Sequence, residues 1–287
     1  MNNKSAIKYF SDGILGTLLL AVFLLIIGSF LQAPIIIFAI NLMHYDSALG
    51  TIITYLSFIG IWLSVCLFML VNKRDRNLFC YITPSKTGNT FGLSIIGFLA
   101  GFGMNALCIL FAVINDDISL YFYGGNLFLF IIAFIAVFVQ SSAEELLVRV
   151  FLYQHLNRRY ESPLVPIVLS SVFFTAMHLS NTGIGLVPII DITVSGILFA
   201  LMIYFFNSFY MAAFCHTTWN YTQAIVFGLP NSGNVTPFSL FKLEAVKGDS
   251  SFFYNPEFGI EGSWMSVLVQ VIAIIIIVNG SNIIKRK

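Results

Sequence analysis

The sequence predicts an all-α fold, a polytopic transmembrane helix bundle, and three observations predict it. Of the 287 residues, 58% are apolar and only 9% are charged, against roughly a quarter charged in soluble domains. Runs of about 20 apolar residues, each long enough to cross a hydrocarbon core of roughly 30 Å at 1.5 Å per residue, recur along the whole chain, which makes them spans and not a removable signal peptide. The basic residues are shared unevenly between alternate connections, as the orientation of membrane helices requires.

Taken in order, the apolar runs and their breakers predict eight spans: 14–40, 51–71, 91–114, 127–150, 164–180, 186–206, 209–228 and 264–281. The first three carry little but hydrophobicity, although Gly97 and Gly101 in the third have the small-xxx-small spacing that lets helices approach closely. Between the last two spans, residues 229–263 mix Asn, Ser, Gly and Pro with Phe252, Phe253, Tyr254 and Phe258, which predicts an ordered outer loop near the membrane surface. Of the fourteen Lys and Arg, Lys4, Lys8, Lys73, Arg74, Arg76, Lys86, Arg149, Arg158, Arg159, Lys285, Arg286 and Lys287 fall on one side of this map. Lys242 and Lys247 fall on the other, so both termini are expected in the cytoplasm, with residues 1–287 forming a single membrane domain. The net charge of +1 comes with no dense basic face, which argues against a nucleic-acid partner and leaves the lipid bilayer as the surrounding. Cys66, Cys80, Cys108 and Cys215 show no CxxC spacing and read as small packing residues.

Ionisable groups inside spans cost about 2.5–3.5 kcal/mol each on insertion scales, so each one calls for a reason. The fourth span carries Gln140, Ser141, Ser142, Glu144, Glu145 and Arg149; the fifth Phe174 and His178; the sixth Asp191; the seventh His216 and Asn220. Glu145 and Arg149 share a helix face at i, i+4 and are expected to neutralise each other. Glu144 is turned away by about 100° onto the stripe of Gln140 and Val148, leaving it the carboxylate without a local cation. Phe174 sits one turn before His178, where its ring can hold the imidazole, and His216 and Asn220 repeat the i, i+4 spacing. Helices of one bundle can bring these groups to a single wet pocket.

Such a pocket supports hydrolysis. A glutamate facing imidazoles can deprotonate a water, and an imidazole or amide N–H can stabilise the oxyanion formed when that water attacks a peptide carbonyl. Alternatively Glu144, His178 and His216 form a His₂Glu set able to hold zinc, which would lower the pKa of a bound water. The residues leave both open. Counting from the predicted span ends places Glu144 in the cytoplasmic third and His178 in the outer third, so convergence requires tilt or shifted boundaries. Asp191 lies about as far after the turn near Ile184 as His178 lies before it, and is expected to orient His178.

Three ordered motifs, EExxxR at Glu144, Glu145 and Arg149, FxxxH at Phe174 and His178, and HxxxN at His216 and Asn220, resemble those of the CPBP family. This is the CAAX-protease and bacteriocin-processing group, which includes the type II CAAX prenyl endopeptidases and bacterial Abi-like proteins. The resemblance covers about 126–228. It implies an intramembrane endopeptidase, of glutamic or metallo type, in which Glu144 with His178 activates water while His216 and Asn220 hold the oxyanion, with Glu145, Arg149, Phe174 and Asp191 in support. It further implies a membrane-associated peptide or protein substrate, a multi-pass protein of a bacterial plasma membrane, and roles in peptide maturation or bacteriocin self-immunity. Two rivals fit fewer residues. A proton-coupled transporter predicts repeated halves with broken helices, and no internal symmetry is visible. A non-catalytic membrane immunity or partner protein would have no need of the complete motif set.

Overall fold

The structure, a computed structural model, describes residues 13–285; Lys4, Lys8, Arg286 and Lys287 lie outside the described residues, as do the side chains of 245, 246 and 281–285, Lys285 among them. The apolar runs become helices whose ends follow from their capping chemistry. The first is α1, Ile14–Met43. The expected second span is two helices, α2 (Ser47–Leu56) and α3 (Ile59–Val71), and it starts four residues before the expected position because Asp46 caps α2, its side chain accepting from the Leu49 N–H at 2.9 Å. Helix α4, Phe91–Ile114, has the expected bounds and starts where the Thr90 side chain accepts from the Leu93 N–H at 3.2 Å. So has α8, Leu186–Phe206, which ends on Asn207 in the left-handed region at φ 49°.

The largest correction falls on the fourth span. Helix α5, Leu127–Glu145, does not end near residue 150 but runs through a π-helical turn, Leu146–Leu152, into α6, Tyr153–Arg159, as one rod of 33 residues. Arg149 is therefore not a cation flanking the membrane. It is fully buried; no Gly or Pro interrupts the chain there, and the helix stops only at Arg158 and Arg159, where cations suit a C-terminus. Helix α7 is short, Leu164–Ala176, and the expected remainder of that span, through His178, is a turn. Helix α9, Phe209–Tyr221, continues as a π-helical turn, Thr222–Val226. The connection beyond it holds strand β2 (Phe241–Val246), antiparallel to β1 (Ile118–Phe122), and a 3₁₀ turn, Ile260–Gly262, that leads into α10, Trp264–Lys285.

Among the described residues, five segments are long and apolar enough to cross a membrane: Ile14–Met43, Ser47–Val71, Phe91–Ile114, Leu127–Arg159 and Leu186–Phe206; Leu164–Ala176 and Trp264–Gly280 are shorter apolar helices. The chain is a mostly helical membrane bundle, inverted relative to a water-soluble core. Phe30, Val71, Phe91 and Leu127 face outward, whereas Ser141, Ser142, Glu144, Glu145, Arg149, Ser170 and Asp191 are buried. Helix α9 lies between α4 and α5, and α8 packs on α7 and α10. The α4–α9 seam closes on the two glycines named above: a Cβ at Gly97 would strike the Met211 carbonyl, and one at Gly101 the Cys215 carbonyl.

Two ion-pair clusters lie in the connections on either side of α4. Shortly after α3, the buried Asp75 receives Arg158 from the end of α6 and His155 Nε2 at 3.2 Å. Burial pushes the Asp75 carboxyl up, but the bonds from His155 and Arg158 outweigh it and hold it below the usual carboxylate range. Just after α4, Asp117 meets Lys247 at 3.4 Å.

Candidate active site

The second-to-last residue of α5 is Glu144. Its Oε1 accepts from Gln140 Nε2, one turn earlier, at 2.5 Å. Its Oε2 is buried and has no hydrogen-bond partner among the described residues. His178 Nε2 and His216 Nε2 each stand 3.9 Å from that same oxygen, beyond a direct hydrogen bond but close enough for one small molecule to touch both groups.

The far side of each imidazole is anchored. His178 Nδ1 lies 2.8 Å from the Phe174 carbonyl and His216 Nδ1 lies 3.2 Å from Glu145 Oε1. A carbonyl or a carboxylate only accepts, so each Nδ1 carries the hydrogen and each Nε2 is turned toward Glu144. The i, i+4 spacing of Phe174 and His178 thus acts through the backbone as well as the ring, whose centroid is 4.8 Å from the imidazole. The same ring meets His216 edge-on at 5.7 Å, while Phe199 stacks on His216 at 5.2 Å. Glu145 Oε2 pairs with Arg149 Nε at 3.1 Å, and the Arg149 guanidinium lies 5.3 Å from the centre of Phe174. The pair expected on one helix face is present and has a further role: Arg149 neutralises the carboxylate that holds His216.

Glu144 and His178 come level because the predicted end of the fourth span moves from 150 to Arg159, while the predicted start of the fifth, at Leu164, stands. With the α5–α6 rod running to Arg159, Glu144 lies about 22 Å of helix rise back from that end, and His178 lies about 21 Å on from Leu164. Asn220, one turn after His216 on α9, directs Nδ2 to Gln140 Oε1 and Ser141 Oγ, both at 3.4 Å. Glu144, His178, His216 and Asn220 line a single cavity of about 580 Å³.

Asp191 lines the same cavity but does not orient His178. Its Oδ1 accepts from Gln270 Nε2 on α10 at 3.0 Å, and the His178 Nδ1–H is already used by Phe174. The expected hairpin symmetry fails because α7 ends before His178 while α8 places Asp191 against α10. Three participants were not on the motif list: Gln140, visible as the residue one turn before Glu144, and Asn231 and Glu261. The last two come from the connection after α9, where no periodicity reveals a side chain's direction.

Tetrahedral zinc with N and O ligands near 2.0–2.2 Å sets its ligand atoms about 3.4 Å apart. The 3.9 Å separations are wider, and no group of three His, Cys, Asp or Glu among the described residues is arranged to hold a metal ion. As placed, Glu144, His178 and His216 are set wider than a zinc shell.

Residues 126–222 match the family described as Type II CAAX prenyl endopeptidase Rce1-like, a stretch holding Glu144, Glu145, Arg149, Phe174, His178, His216 and Asn220. No characterised protein and no solved structure matches the chain. The Rce1-like family is a family of integral membrane proteases, and over residues 126–222, about a third of its length, this chain is similar to that family, a likeness consistent with the CPBP group of intramembrane proteases.

Proposed function

We propose that the chain is an intramembrane endopeptidase that hydrolyses peptide bonds of membrane-associated peptides or proteins with a glutamate-activated water. The observation that carries this reading is Glu144 Oε2, buried and without a protein partner among the described residues, with an imidazole Nε2 on either side at 3.9 Å. A water held there gives a proton to Glu144 as its oxygen attacks the scissile carbonyl carbon, with His178 Nε2 fixing its direction. The electron pair of the carbonyl moves to oxygen, and the oxyanion is met by Asn220 Nδ2–H and by His216 when it carries a second hydrogen at Nε2. Glu145 then supplies the countercharge to that imidazolium from 3.2 Å. Collapse of the intermediate breaks the C–N bond, and the proton on Glu144 passes to the leaving amine.

The position of the cavity among apolar helices suits a substrate segment that is itself apolar and membrane-associated. Eight crossings with both termini in the cytoplasm, a bacterial plasma membrane, and peptide maturation or bacteriocin self-immunity as the setting belong to this proposal. The test uses the purified full chain with a library of internally quenched apolar peptides in detergent micelles, with and without a chelator. Glu144→Ala, His178→Ala and His216→Ala are each expected to lose about 10²–10⁴-fold in kcat, with the chelator without effect. Parental rates in all three would leave a non-catalytic membrane partner; loss on chelation alone would select the metal chemistry.

A further inference from the structure

Among the residues that the connection between α9 and α10 places along the cavity, outside both the motif set and the Rce1-like segment, two are polar side chains bonded to the site. Asn231 and Glu261 are 9% and 7% exposed and line the cavity beside Asn220. Both hydrogens of the Asn231 amide have acceptors: Nδ2 donates to Asn220 Oδ1 at 3.3 Å and to Glu261 Oε1 at 3.0 Å. Glu261 is held in turn. Its Oε1 also accepts from Trp219 Nε1 at 3.0 Å, and its Oε2 accepts from the Ser232 N–H at 2.8 Å and the Ser232 hydroxyl at 2.7 Å.

A carboxamide has nearly the same shape at its two ends and opposite chemistry. An oxyanion is stabilised by the NH₂ end and repelled by the oxygen. The contacts of Asn220 to Gln140 and Ser141, at 3.4 Å each, are long, and a serine hydroxyl serves as donor or acceptor, so they set the choice weakly. Asn231 adds a contact of one sense only, because its NH₂, at 3.3 Å, can bond only to the oxygen end of Asn220. Glu261, an acceptor when ionised, sets the sense of Asn231 by the same rule.

We propose that Asn231 and Glu261 are positioning residues that fix the Asn220 carboxamide with its NH₂ toward the reacting carbonyl. The inference rests on the reading of Asn220 as an oxyanion donor. The relay keeps one direction beyond Asn220, whose Nδ2 reaches Gln140 Oε1 while Gln140 Nε2 donates to Glu144 Oε1 at 2.5 Å. A carboxylate of the α9–α10 connection and the carboxylate that takes the water's proton thus end one chain of three amides, each satisfying the next. Docking of this connection and competence of the site become a single event.

The test is a double-mutant cycle on the full chain with the same quenched peptide library. Asn231→Ala and Glu261→Gln are expected to lower kcat about 10- to 100-fold with KM unchanged, short of the roughly 10²–10³-fold loss from removing the donor itself in Asn220→Ala. In an Asn220→Ala background, Asn231→Ala is expected to add nothing. Losses that multiply, or a change confined to KM, would overturn the relay in favour of a fold-supporting or substrate-binding role. If Asn220→Ala cleaves at the parental rate, the reading of Asn220 itself falls, an outcome distinct from Asn220→Ala losing rate while Asn231→Ala does not. A second readout is independent of cleavage. The side-chain NH₂ resonances of Asn220 in the ¹⁵N-asparagine-labelled chain, assigned by their loss in Asn220→Ala, are expected to shift in both Asn231→Ala and Glu261→Gln. Unmoved resonances overturn the proposal whatever the assay gives.

Discussion

At the scale of single residues, the site rests on a division of labour between adjacent carboxylates. Glu145 is spent on Arg149 and His216, at 3.1 and 3.2 Å, and Glu144 keeps one oxygen uncommitted among the described residues. That division was legible in the sequence from helical spacing alone, since Arg149 falls on the face of Glu145 and not of Glu144. What spacing could not reveal was the burial of Arg149, because a lone arginine near a span end reads equally well as a flank. Removing it is expected to be severe. Arg149→Met would leave Glu145 as an uncompensated buried charge, and a loss of about 3–5 kcal/mol is expected. Thermal unfolding in detergent checks this, and an unchanged midpoint would mean that Glu145 is neutral without its partner. The misplacement of Asp191 has a related cause: sequence distance from a turn predicts depth but not the direction in which a side chain points, and Asp191 meets Gln270 on α10 instead of His178.

At the scale of elements, boundaries were legible where a cap marks them and illegible where two helical states join without a breaker. Thr90 and Asn207 bracket helices at the expected positions, whereas the passage from α5 through a π-helical turn into α6 has no sequence mark. That π-helical turn directly follows Glu144 and Glu145, as such insertions often do at functional sites. The close approach of α4 to α9 offers a sharp contrast on one helix. A Cβ at Gly101 would meet the Cys215 carbonyl and the Thr218 hydroxyl, while one at Gly103 would meet nothing within 4 Å. Gly101→Leu is expected to destabilise by about 1–3 kcal/mol, and Gly103→Leu to change little, as measured by thermal unfolding in detergent. Equal effects would show that α4 and α9 are not in contact as described. Because α9 carries His216 and Asn220, Gly101→Leu is also expected to lower activity.

At the scale of the whole molecule, the bundle is tied by Asp75, which joins the connection between α3 and α4 to the end of α6. A carboxyl whose pKa is depressed on folding contributes stability above its unfolded value and loses that contribution as pH falls toward its folded value. The midpoint of unfolding in detergent is therefore expected to drop as pH falls through and below the ordinary carboxylate range. Asp75→Asn should remove part of that acid limb while lowering stability at neutral pH; an identical acid limb in the variant would place the dependence elsewhere. The helical membrane architecture was legible from composition and the length of the apolar runs, but the walls of the cavity were not, since its polar lining comes from residues whose meeting depends on helix rotation and on the fold of the α9–α10 connection. The central claim is spatial: two helices and the turn that ends a third bring one acid and two imidazoles around a single hydrated point inside the bundle. The most direct measurement is an experimental map of the chain in lipid nanodiscs, bound to a rigid antibody fragment and sharp enough to place waters. The account predicts a water within hydrogen-bond distance of both Glu144 Oε2 and His178 Nε2, with His216 Nε2 facing it. Glu144 or His178 turned toward lipid, or separated by more than one water can bridge, would contradict it.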